Sequence, residues 1–191
     1  MIQNPVFKGF NPDPSICRRG DDYYVAVSSF EWFPGLPVYH SRDLKHWQLL
    51  THVLTDDNNP DLKKLPSAKG IWAPSLTWCE EEKLFYVIYG VMNSMNSRYF
   101  DVDNYLITAS EITGPWSEPV YLHSAGFDAS ILHDTDGKNG SFPWSGKPAK
   151  VTKNRAPFAW WSIRRKREAL SAIRSGSGAA VPIAAVLKHR I

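Results

Sequence analysis

Asp13-Pro14-Ser15-Ile16 returns as Ala73-Pro74-Ser75-Leu76 and again as Asp128-Ala129-Ser130-Ile131. The spacing is roughly sixty residues, in the range that marks repeated architectures. A polar turn follows each copy: Arg19-Gly20-Asp21-Asp22, Glu80-Glu81-Glu82 and Asp134-Thr135-Asp136-Gly137. After the first two turns come Tyr23-Tyr24-Val25-Ala26-Val27 and Leu84-Phe85-Tyr86-Val87-Ile88-Tyr89. These β-branched and aromatic runs predict buried strands. A further strand and a tryptophan close each unit, Val38 to Ser41 with Trp47 and Tyr105 to Ala109 with Trp116. Short strands in a long-period repeat predict an all-β propeller, each unit one four-stranded blade.

The repeat stops after Lys138. Where a third aromatic strand is expected, the chain has Asn139-Gly140-Ser141-Phe142-Pro143-Trp144-Ser145-Gly146, and no Asp or Tyr occurs from there to the end. Charge changes at the same place. Residues 1–138 hold 11 Lys and Arg against 18 Asp and Glu, and residues 139–191 hold 11 against Glu168 alone. The net +3 therefore averages an acidic segment and a basic one. Two origins suit the basic tail. Arg164-Arg165-Lys166-Arg167 beside Trp160 and Trp161 has the make-up of a nucleic-acid patch. The preferred origin is a slipped reading frame. Codons permitted from Asn139 to Lys150 can be read, shifted, as Trp-Ile-Val-Ser-Leu-Glu-Trp-Glu-Thr-Arg-Glu, the strand that the third unit lacks. The expected organisation is thus 1–138 as about two blades and the start of a third, and 139–191 as an unstructured or non-native tail.

With 43% hydrophobic residues the chain can bury a core. Cys17 and Cys79 are too few for a disulfide framework, and the six histidines lack metal-ligand spacing. The N-terminus has no leader pattern and no stretch reaches the length of a membrane span, which predicts a soluble, cytoplasmic protein. No membrane and no nucleic-acid partner is expected, and oligomeric state is left open.

Asp13 lies between Pro12 and Pro14, which predicts a carboxylate on a stiffened, extended backbone. Such a group suits a general base; the plain alternative is a turn residue. Asn11-Pro12-Asp13-Pro14-Ser15, Phe30-Glu31-Trp32-Phe33-Pro34-Gly35, His40 to Trp47, Ile71-Trp72-Ala73-Pro74 and Gly126-Phe127-Asp128-Ala129-Ser130 together resemble the β-xylosidases of glycoside hydrolase family 43. The resemblance covers Met1 to Lys138 in order.

That resemblance implies a five-bladed propeller, incomplete here, and an inverting exo-β-1,4-xylosidase that takes xylose from xylo-oligosaccharides in xylan degradation. It implies Asp13 as the general base, and Asp128 as the carboxylate that orients the acid and modulates its pKa. Phe30 and Trp72 become pocket walls for the terminal sugar, although each could equally be core. Trp32, Trp47 and Trp116 are assigned to packing. The family's general acid, a Glu in Glu-Gly/Ala-Pro-His, is absent from the chain as written. The shifted frame supplies Glu-Ala-Pro-His near Leu187 and Lys188, so the chain as written is expected to be inactive. No cofactor is expected. The cation that many family members hold near the propeller axis would have its ligand outside this chain. An α-L-arabinofuranosidase and a non-catalytic sugar-binding fragment are the alternatives.

Overall fold

A computed structural model describes residues 2–56, 58, 62–63, 65–95, 100–124 and 126–133, and the backbone alone at 139–144 and 161–162. Among them the elements are all strands. β1 (Ser15–Arg19), β2 (Asp22–Ala26), β3 (Gly35–Ser41) and β4 (Gln48–Leu54) form one antiparallel sheet in that order. β5 (Gly70–Cys79), β6 (Leu84–Ser94), β7 (Asp101–Ala109) and β8 (Val120–His123) repeat the arrangement. A third sheet has the order β11 (Trp161–Ser162), β10 (Asn139–Trp144), β9 (Phe127–His133). The all-β expectation holds, and the repeat unit is a four-stranded meander in its first two copies.

Strand structure continues past Lys138, into the segment that the sequence reading gives to an unstructured or non-native tail. β10 pairs with β9 from Asn139↔His133 to Trp144↔Phe127, and β11 adds beyond it. An open strand edge offers unpaired N–H and C=O groups. A neighbour pairs through its own backbone, so a segment poor in β-branched residues can still extend the sheet. Residues 145–160 and 163–191, with the Arg164 to Arg167 patch, lie outside the described residues.

The core explains why β6 is an unbroken apolar run. Phe85, Val87 and Tyr89 join Tyr24, Ala26, Leu36 and Val38 of the first sheet in one buried cluster. Tyr86 and Ile88, on the opposite face by the two-residue period of a strand, join Ala129 and Ile131 of β9 in another. Both faces of β6 are therefore walled by protein, which is where alternation of polar and apolar residues gives way to continuous hydrophobics. Cys17 and Cys79 are free, buried thiols in different clusters. Trp116 packs against the first cluster and Trp47 against Phe7, as expected of packing residues. Trp32 departs from that expectation. It is 64% exposed and meets Phe10, itself exposed, at 5.9 Å between ring centroids.

Polar ties hold the first two sheets together. The Leu76 N–H donates to Ser15 Oγ at 3.0 Å. Arg19 pairs with Glu111 at 2.8 Å while its guanidinium lies over the Trp78 ring, 4.5 Å from the centroid. No helix among the described residues is long and apolar enough to cross a membrane.

Candidate active site

Asp13, Ala73 and Asp128 occupy the same position of the three repeats, and all three have left-handed backbones, with φ of 52°, 38° and 52°. The extended conformation expected of Asp13 is thereby corrected. Pro14 disfavours the right-handed helical region for the residue before it. It does not by itself select the extended region, and a short polar side chain tolerates φ > 0 better than most.

Register explains why the left-handed residue is needed. In the second sheet Trp72 pairs with Gly90 and Ser75 with Ile88, so Ala73 and Pro74 stand opposite Tyr89 alone. In the third, Phe127 pairs with Trp144 and Ser130 with Phe142, leaving Asp128 and Ala129 opposite Pro143. In the first, Ser15 pairs with Ala26, while the Ser28 N–H donates to the Pro12 carbonyl at 3.0 Å, leaving Asp13 and Pro14 opposite Val27. Two residues against one is a β-bulge, which bends the strand and re-aims a side chain. Non-glycine residues held at positive φ cost about 1–3 kcal/mol each and cluster at functional sites. Two of these three positions carry a carboxylate.

Both carboxylates belong to residues open to solvent. Ser28, only 2% exposed, donates its hydroxyl proton to Asp13 Oδ2 at 2.6 Å. Asn11 steadies the approach to Asp13, accepting from the Tyr39 hydroxyl at 2.9 Å and donating to the Lys8 carbonyl at 3.1 Å. Asp128 has its pKa raised, first by desolvation and second by the charge of Asp13. The two acids are thus electrostatically coupled although they arise from different sheets. Asn104, fully buried on β7, donates to the Gly126 carbonyl at 2.7 Å and anchors the chain just before Asp128.

Phe30 and Trp72, the two aromatics expected in the pocket, are brought together at 5.5 Å between centroids. Phe30 is fixed by a two-way backbone bridge with Ile71, each N–H donating to the other's carbonyl at 2.9 Å. The rings continue on both sides. Phe10 stands 5.5 Å from Phe30, Phe100 6.2 Å from Trp72, and Phe127 5.1 Å from Phe100. An aromatic arc therefore runs from the neighbourhood of Asp13 to the residue preceding Asp128. The Trp72 indole N–H is buried without a partner among the described residues. Among the described residues no three or more His, Cys, Asp or Glu are grouped as a metal site.

Ser28, Asn104, Phe10 and Phe100 are the members that sequence reasoning missed. Asn104 carried little signal, since it follows Asp103 in the polar first half of β7 and its burial comes only from the fold. Ser28 carried none, because its partner Ala73 is 45 residues away.

A solvent-open carboxylate held by Ser28, a second carboxyl with raised proton affinity and an aromatic wall can together serve hydrolysis of a glycosidic bond. Comparison with known proteins agrees. The sequence profile of Glycosyl hydrolases family 43 matches residues 2–154. A β-xylosidase of Bacillus subtilis is 52% identical over 137 residues, covering 72% of this chain and 25% of that protein. A non-reducing end α-L-arabinofuranosidase of Bacteroides ovatus is 46% identical over 141 residues, again covering 72% and 25%. The crystal structure of xylan β-1,4-xylosidase from Bacillus halodurans C-125 superposes with a TM-score of 0.74 at 44% identity, covering 87% of this chain and 32% of that one. The chain spans about a quarter of the length of these curated relatives. With four-fifths of its residues inside the family match, this chain belongs to the glycosyl hydrolases of family 43.

Proposed function

We propose that the chain carries the base side of an inverting exo-β-1,4-xylosidase site acting on xylo-oligosaccharides. The observation that carries this is the pair Asp13 and Asp128, at matched bulges and coupled in charge, beside the Phe30–Trp72 wall. In the reaction Asp13 takes a proton from water as the water oxygen bonds to the anomeric carbon. On the opposite face the glycosidic bond to the leaving oxygen breaks, and that oxygen takes a proton from an acid. Inversion places base and acid about 6.5–9.5 Å apart to admit the water. Asp128 is the third carboxyl, whose position beside the acid helps to keep that acid protonated. Phe30 and Trp72 pack on the apolar face of the terminal sugar.

The general acid is the missing member, since no Glu-Gly/Ala-Pro-His stretch occurs in the sequence. On this proposal the three sheets are blades of an incomplete five-bladed propeller, and a slipped frame after Lys138 accounts for the lost acid. The chain as written then releases no nitrophenol from an aryl β-xyloside. A chain continued in the shifted frame past Glu-Ala-Pro-His until the five blades are complete does, and its Asp13→Asn variant does not. Full activity in Asp13→Asn would remove Asp13 as base. The α-L-arabinofuranosidase alternative is supported by the Bacteroides ovatus relative. Relative rates on aryl β-xyloside and aryl α-arabinofuranoside separate the two.

A further inference from the structure

We propose that Ser28 is the positioning residue for Asp13, holding one carboxylate oxygen so that the other is free to engage water. The inference rests on the role given to Asp13 above, but its geometry stands alone. Ser28 Oγ makes two close contacts, Asp13 Oδ2 at 2.6 Å and the Ala73 nitrogen at 2.7 Å. A backbone N–H can only donate, so the hydroxyl accepts from Ala73. Its single proton is then committed to Asp13. With Asp13 ionised its oxygens can only accept, so both hydrogen bonds run in one sense, from Ala73 to Ser28 to Asp13.

Two features argue against a merely structural serine. Ser28 is tied to the Asp13 segment twice, by side chain to the carboxylate and by its own N–H to the Pro12 carbonyl at 3.0 Å. Its neighbour Ser29 is almost equally buried, yet its hydroxyl accepts from the Leu36 N–H at 3.1 Å and serves the local turn. Ser28 reaches instead across to the second sheet, to the one repeat position that lacks a carboxylate. Left-handed Ala73 thus presents its N–H to Ser28, and the bulge of the second sheet supports the acid of the first. A charged acceptor strengthens the chain of bonds, because ionised Asp13 polarises the hydroxyl and makes it a better acceptor for Ala73.

The test is the pH dependence of the Ala73 amide resonance in the 191-residue chain, followed by nitrogen-15 NMR through the carboxylate range. The amide is expected to move as Asp13 ionises. That movement should be lost in Asp13→Asn and in Ser28→Ala, and retained in Ser28→Thr, which keeps the hydroxyl. Asp128 is the other acid coupled to Asp13, so movement that survives Asp13→Asn would assign the signal to Asp128 and overturn the proposal. Movement unchanged by Ser28→Ala, or none in the parent chain, would overturn it equally. If Ser28→Ala does not fold, the parent chain, Asp13→Asn and Ser28→Thr still decide. Aryl xyloside hydrolysis tests the glycosidase role separately, so an inactive chain leaves the Ser28 result standing.

Discussion

Asp128 keeps its proton to a higher pH than an ordinary aspartate, and the charge of Asp13, from another sheet, is part of the reason. Desolvation is the larger cause. A raised native pKa means that, above the free value near 3.8, the folded chain binds more proton than the unfolded one. Stability must then fall as pH rises through that window, the reverse of a salt-bridged aspartate. Asp128→Asn should raise the thermal midpoint at neutral pH, with the gain vanishing where aspartates are protonated in both states. An equal gain at both pH values would assign the effect to packing instead.

The same coupling can be read from the other side. Asp13→Asn removes a like charge, so the Asp128 carboxyl should titrate at lower pH while desolvation keeps it above 3.8. Carbon-13 NMR of the side-chain carboxyls measures this directly. An unmoved Asp128 would mean that the two acids do not sense each other.

Gly70 has φ of 97°, and a Cβ there would lie 2.3 Å from the Phe30 carbonyl oxygen. That oxygen accepts from Ile71 in the bridge that holds Phe30 beside Trp72. Gly70→Ala should therefore lose at least about 1–3 kcal/mol from the backbone alone. It should also shift the tryptophan emission, because the aromatic wall has to move. Urea denaturation and fluorescence of the same sample test both, and an unchanged midpoint would refute the close approach.

Ile88 and Ile16 are both isoleucines on strands, one fully buried on β6 and the other 59% exposed on β1. Ile88→Ala should cost about 2–5 kcal/mol, since the packed neighbours Ala129 and Ile131 cannot fill the gap without moving β9. Ile16→Ala should stay within about 0.5 kcal/mol. Similar losses for the two would mean that the Ile16 face is covered in solution.

Much of this site could be read from the chain because Asp13, Ala73 and Asp128 share a repeat register, and equal register gives equal geometry. The sign of φ could not be read, since the proline rule speaks against one helical region and is silent on its mirror image. Residue type alone assigns Trp32 to packing, but exposure depends on what the rest of the chain brings near it. Ser28 was invisible because a hydroxyl's duty is set by whichever donor tertiary structure places against it. Side-chain preference gives no sign of β10, because backbone pairing alone places it against β9.

The shared bulge separates aim from chemistry. The backbone at 13, 73 and 128 sets a direction, and the residue occupying it supplies the reactive group, so the Ala73 position is a socket with the geometry of an acid site and no acid in it. New reactivity on this scaffold then requires no new strand, turn or loop: the sheet has already met the conformational cost, and a single side chain decides whether the position is a wall or a reagent.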